Sequence, residues 1–145
     1  MNQELISPCG LYCGVCAIYC ATADGDEPLK EKLAKAYGDT TDKINCRGCR
    51  SDLVYWYCAV CAIKNCTKEK GYLGCHQCAD FPCDIINNFP VPEGKKNILR
   101  AIPLWKELGT EAFIEAEEKL FSCNHCGKKL FRGARKCRQC GTVKE

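Results

Sequence analysis

Cys123-Asn124-His125-Cys126-Gly127, nine residues from Lys128 to Lys136, then Cys137-Arg138-Gln139-Cys140-Gly141: this stretch sets the terms on which the rest of the chain is read. Each Cys-x-x-Cys-Gly unit presents two thiolates on a tight turn, and its glycine permits the left-handed turn after the second of them. Two such units close a tetrahedron around one ion. The motif predicts a minimal zinc ribbon, with a short β-hairpin over 128–136 turning at Gly133. Zinc is the expected occupant, although a rubredoxin-like iron site uses the same paired turns. A site of this kind is worth roughly 10–16 kcal/mol in small zinc peptides, so the tail is expected to fold with its ion.

Working outward, the same spacing recurs in Cys13 with Cys16, Cys46 with Cys49, Cys58 with Cys61 and Cys75 with Cys78, while Cys9, Cys20, Cys66 and Cys83 stand outside any tight pair. Sixteen cysteines in 145 residues far exceed ordinary usage. Leu, Ile, Val and Phe together make up only about a fifth of the chain, near the level at which an apolar core stops being sufficient. Something else must cross-link this fold. Met1 to Pro8 has neither a basic start nor a long apolar run, so no secretory signal is expected, and no stretch is apolar enough for a membrane helix. A cytoplasmic protein follows as the expectation, and in that reducing compartment thiols serve more often as metal ligands than as disulfides. All sixteen cysteines are therefore candidate ligands, for several zinc ions or for iron–sulfur clusters.

The formal charge of +3 hides an asymmetry. Lys119 onward holds eight basic residues against one acidic, whereas the preceding chain is acidic. Thiolate centres make the body more negative still, since four thiolates around a divalent ion carry a net charge of about −2. Lys128, Lys129, Arg132, Arg135, Lys136 and Arg138, with Phe131 among them, suit phosphates and a stacked base. They suit an acidic protein surface equally, this chain's own body included. Partners are thus expected through the basic ribbon, protein or nucleic acid, and none through a membrane.

The expected architecture is small, metal-stabilised and mainly α with little β. Residues 1–92 read as a cysteine-rich metal-binding domain, 93–121 as a connecting helical segment and 122–145 as the zinc ribbon. Asp24, Asp26, Glu27 and Pro28 carry helix-start chemistry, Leu29, Leu33, Ala36 and Tyr37 form one face, and Gly38 ends the helix. Thr67 is expected to cap a brief helix through Lys70. Asp84 to Phe89 suggests another, stopped by Pro90 and Pro92. Pro103 and Gly109 should divide the helical stretch over 94–121, with Glu111, Glu115, Glu117 and Glu118 on a solvated face.

No catalytic constellation emerges. Cys9-x3-Cys13-x2-Cys16 matches the cluster loop of radical S-adenosylmethionine enzymes, but only eight residues precede it and no alternation of strands and helices follows. Cys20 offers a fourth ligand that would close such a site. His76 and His125 sit between paired cysteines, with rings expected to point outward. Trp56, between Tyr55 and Tyr57, is expected to pack over a metal site.

Several segments carry a resemblance: Ser7-Pro8-Cys9-Gly10-Leu11-Tyr12-Cys13-Gly14-Val15-Cys16, Asn45-Cys46-Arg47-Gly48-Cys49, Cys58 to Cys66, Lys70-Gly71 and Cys75-His76-Gln77-Cys78-Ala79-Asp80-Phe81-Pro82-Cys83. In combination they resemble a family of small cysteine-rich bacterial and archaeal proteins known only as a domain of unknown function. The resemblance implies a compact, mostly helical metal-binding domain, followed in some relatives by a zinc ribbon, and it implies no reaction. Cys20 departs from the family pattern. Two groupings stay open: Cys9, Cys13, Cys16 and Cys20 as one site, or Cys13 and Cys16 joined with Cys46 and Cys49. The functional expectation is a non-enzymatic zinc-binding or adaptor module, with two alternatives: an iron–sulfur protein in redox chemistry or cluster assembly, and a nucleic-acid-binding ribbon.

Overall fold

A computed structural model of the chain describes residues 5–144. It is mainly helical: α1 (Ala17–Asp24), α2 (Glu27–Tyr37), α3 (Trp56–Ala59), α4 (Ala62–Lys70), α5 (Asp84–Asn87), α6 (Pro92–Leu108) and α7 (Thr110–Leu120), with 3-10 turns at Cys13–Val15, Thr41–Lys43 and Cys75–Gln77. Among the described residues β pairing is limited to three isolated bridges, Ile6 with Tyr12, Ser122 with Lys129 and Lys136 with Val143. No described helix is long and apolar enough to cross a membrane.

Local chemistry explains the ends of α2. Asp26 Oδ1 accepts the Leu29 N–H at 3.1 Å, Pro28 occupies the first turn and Gly38 closes the helix at a φ of 67°. Its buried face is carried by Leu29 and Ala34, whereas Ala36 and Tyr37 are exposed, so the expected stripe is rotated. Thr67 is no cap. It lies inside α4 with its hydroxyl bonded back to the Ile63 and Lys64 carbonyls, both at 3.0 Å. Pro92 begins α6 where the sequence pattern suggested a stop, because the first helical position needs no N–H. Pro103 does not break α6 either; the burial of Ala101, Ile102 and Trp105 around it holds the helix through the missing bond, and only Gly109 separates α6 from α7.

Helices α6 and α7 supply the large side chains of the main core, where Trp105, Ile98 and Phe113 pack with Ile6, Tyr12 and Val15. Trp105 Nε1 donates to Thr110 Oγ1 at 3.0 Å, and the indole stacks on Phe113. The cysteine-bearing loops are pressed onto this layer. A Cβ on Gly74 would stand 2.4 Å from the Trp105 ring and 3.0 Å from the Pro8 carbonyl, so only glycine lets Cys75 reach its place. The Cys75 N–H then bonds the Pro8 carbonyl at 2.9 Å, joining the loop before Cys9 to the loop of Cys75. A second core cluster gathers Ile18, Ala34, Ile44, Cys46 and Tyr55, with Cys16 packed against it.

Candidate metal centres

The tail builds its site from one turn used twice, fourteen residues apart. The Cys123 N–H bonds the Lys128 carbonyl at 2.8 Å and the Cys137 N–H the Thr142 carbonyl at 2.9 Å; the N–H groups of Gly127 and Gly141 return to Cys123 and Cys137, each at 2.9 Å. Gly127 and Gly141 take φ values of 77° and 76°, the left-handed turn that the motif calls for. Four sulfurs converge as a result. Cys123, Cys126, Cys137 and Cys140 place their Sγ atoms within 4.8 Å of one another, the one group of three or more potential ligands among the described residues that does so. Cys123 to Cys140 and Cys126 to Cys137 are both 3.6 Å apart. A tetrahedral tetrathiolate ion with metal–sulfur bonds near 2.3 Å puts its sulfurs about 3.8 Å apart, so this quartet fits a single metal ion.

The proton balance within the quartet is uneven. Cys140 is lowered to about 6, first by the hydroxyl of Thr142, 3.2 Å away, and then by its backbone N–H. The Lys128 N–H lowers Cys126, but burial and the thiols of Cys137, Cys140 and Cys123 together push it up to about 12.

The expected hairpin over 128–136 does not form. Each bridge lies inside its own turn, and between the two turns Arg132 bonds the body: its N–H reaches the Val15 carbonyl at 2.6 Å and its guanidinium the Tyr12 carbonyl at 2.8 Å. Arg138 pairs with Asp24 at 3.3 Å and also with Asp26. Lys144 Nζ donates to the Leu120 carbonyl at 2.9 Å, so three of the tail's cations are committed to the body, while Lys128, Lys129, Arg135 and Lys136 remain exposed.

The body's twelve cysteines are free thiols arranged more loosely. In Cys13 to Cys16, Cys58 to Cys61 and Cys75 to Cys78 the second N–H bonds the first carbonyl, at 2.9, 3.4 and 3.1 Å, a tighter turn than the tail's. Cys46 instead accepts the Gly48 N–H on sulfur at 3.3 Å, and the Cys49 N–H donates to Cys13 Sγ at 3.4 Å. Burial is the leading reason these thiols resist ionisation: Cys13 is raised well above the ordinary range, Cys49 to about 11, Cys58 to about 12 and Cys75 to about 12. Neighbouring thiols add to it. Cys49 feels Cys9 and Cys61, and Cys75 feels Cys9, Cys83, Cys78 and Cys66. Lys70 Nζ stands 3.7 Å from Cys78 Sγ. Cys20 turns away, its thiol on the Gly14 carbonyl at 3.6 Å, so Cys9, Cys13, Cys16 and Cys20 do not meet as one quartet.

Other expectations change with the packing. His76 does not point outward: its ring stacks on Trp105 with centroids 3.6 Å apart, and its Nδ1 is buried without a hydrogen-bond partner. His125 is exposed as expected. Trp56 is 56% exposed, held by Asp39 through Nε1 at 2.9 Å, and therefore not a cover for a metal site. Glu117 leaves the solvated face altogether, 1% exposed and bidentate with Arg100 at 2.7 and 3.1 Å, and Glu118 accepts the Tyr12 hydroxyl at 2.7 Å. A signal was also present that spacing by pairs overlooks: Cys58, Cys61 and Cys66 recur as Cys75, Cys78 and Cys83, the same Cys-x2-Cys-x4-Cys pattern displaced by seventeen residues.

A family model described as "Protein of unknown function (DUF3795)" matches residues 5–88, which contain all twelve body cysteines and stop short of the tail quartet. Neither a curated protein nor a solved structure matches the chain.

Proposed function

We propose that this chain, which belongs to the DUF3795 family of proteins of unknown function, is a non-enzymatic zinc-binding module whose tail ion is structural and whose basic tail meets a macromolecular partner. The observation that carries the reading is the tail quartet, four sulfurs within 4.8 Å of one another on two matching turns. Four thiolates in a closed tetrahedron are a ligand set that structural zinc takes, and they leave no open position for a substrate as catalytic zinc would need. The same closure argues for scaffolding rather than turnover. A reducing compartment such as the cytoplasm keeps the thiolates available for it.

The test is metal analysis of the full chain purified anaerobically. Zinc that is lost in Cys123→Ser and Cys140→Ser variants, together with the order of the tail, supports the reading; zinc retained by both variants contradicts it.

For the partner, the exposed Lys128, Lys129, Arg135 and Lys136 favour an anionic surface, whether an acidic protein or nucleic acid. Binding of the zinc-loaded chain to a random-sequence RNA or DNA oligonucleotide should fall steeply with salt if phosphates are the target. Absence of binding at low salt leaves the acidic-protein surface as the partner class.

A further inference from the structure

Thiolates hold metal in two ways that differ in how far apart the sulfurs stand. A single ion draws four of them together, as at 3.6 Å in the tail. A cluster of several irons bridged by sulfide separates its cysteines by the width of the cluster. The body's thiols are not drawn together in the first way.

Cys13 and Cys49, thirty-six residues apart, are joined directly by the Cys49 N–H on Cys13 Sγ. Cys9, Cys13 and Cys61 pack against the same main core, while Cys16 and Cys46 belong to the second cluster. Cys61 stands at the start of α4, and Lys64 on that helix donates to the Cys49 carbonyl at 2.6 Å, fixing Cys61 and Cys49 on neighbouring segments. Yet among the described residues no three thiols outside the tail lie within 4.8 Å of one another. They are gathered, and too wide for one ion.

We propose that Cys9, Cys13, Cys49 and Cys61 ligate a polynuclear iron–sulfur cluster in the body, a centre separate from the tail's ion. The surroundings fit such a group. An N–H already points at one of the four sulfurs, the kind of hydrogen bond that tunes cluster thiolates. Lys64 lies beside Cys49 and offsets part of the negative charge that a thiolate-bound cluster carries. Tyr12, 1% exposed, belongs to the core against which Cys9, Cys13 and Cys61 pack, its ring so close to Gly14 that a Cβ there would stand 2.5 Å from it. The assignment does not depend on the tail reading, because none of its ligands is shared with the quartet.

The experiment is reconstitution of the full chain under anaerobic conditions with ferric iron, sulfide and a dithiol reductant that supplies the electrons for partial reduction of the iron, followed by visible and Mössbauer spectroscopy and by iron and acid-labile sulfide analysis. The expected result is a sulfide-to-iron ratio near unity with visible charge-transfer absorption, retained in Cys20→Ser and in the Cys123→Ser/Cys140→Ser pair, and lost in Cys13→Ser and Cys49→Ser. Wild-type protein that stays colourless and takes up no sulfide overturns the proposal, whatever the variants do. So does a cluster that survives in the Cys13→Ser/Cys49→Ser pair, or one that disappears in Cys20→Ser.

Discussion

The tail and the body both carry cysteines at the same two-residue spacing, yet they use them differently. In the tail, two turns with matching hydrogen bonds aim four sulfurs at one point, and only three buried residues, Cys123, Leu130 and Cys137, form its core. In the body, the tight turns hang on a layer of large apolar side chains around Trp105 and Tyr12, in which Cys75 is the one cysteine among the buried members. A Cys-x-x-Cys turn therefore does not by itself say whether metal supplies the fold. What decides is whether an apolar core lies beneath it.

Removing metal should expose that difference most strongly. In metal-free, reduced protein the amides of 122–144 are expected to lose protection from hydrogen exchange, because the tail forfeits a term of roughly 10–16 kcal/mol seen in small zinc peptides. Amides of α6 and α7 should keep theirs; equal loss in both regions breaks the comparison. Cys137→Ser, at a thiol 1% exposed, should reproduce the effect in the presence of zinc.

Body stability should answer instead to packing and to one buried ion pair. Arg100→Ala strands the Glu117 carboxylate, and is expected to cost about 2–3 kcal/mol in denaturant unfolding, at the low side for a broken buried pair because the Arg100 side chain is 36% exposed. Gly74→Ala drives a methyl into Trp105 and should cost about 1–3 kcal/mol by the same measurement. Neither variant should change the metal content of the tail.

The contact between the two regions is expected to be weaker. Arg138→Ala removes the pairs with Asp24 and Asp26 and should lower tail protection by at most about 1 kcal/mol, an effect that high salt abolishes in the parent protein.

The tail quartet was legible because its ligands are near in sequence and its turn is set by glycine; likewise α2, whose Asp26, Pro28 and Gly38 act within a few residues. What was not legible depends on segments that meet only after folding. No local pattern places His76 against Trp105 or brings Arg100 to Glu117, seventeen residues away. The missing hairpin has the same origin, since Arg132 finds its partners on Tyr12 and Val15 and not on a facing strand.

The most direct test of a mononuclear tail centre is zinc-edge X-ray absorption on the full chain purified anaerobically. Four sulfur neighbours at about 2.3 Å, lost in the Cys123→Ser/Cys140→Ser pair, are the predicted result. A shell containing nitrogen or oxygen, or a spectrum unchanged in that variant, would contradict it.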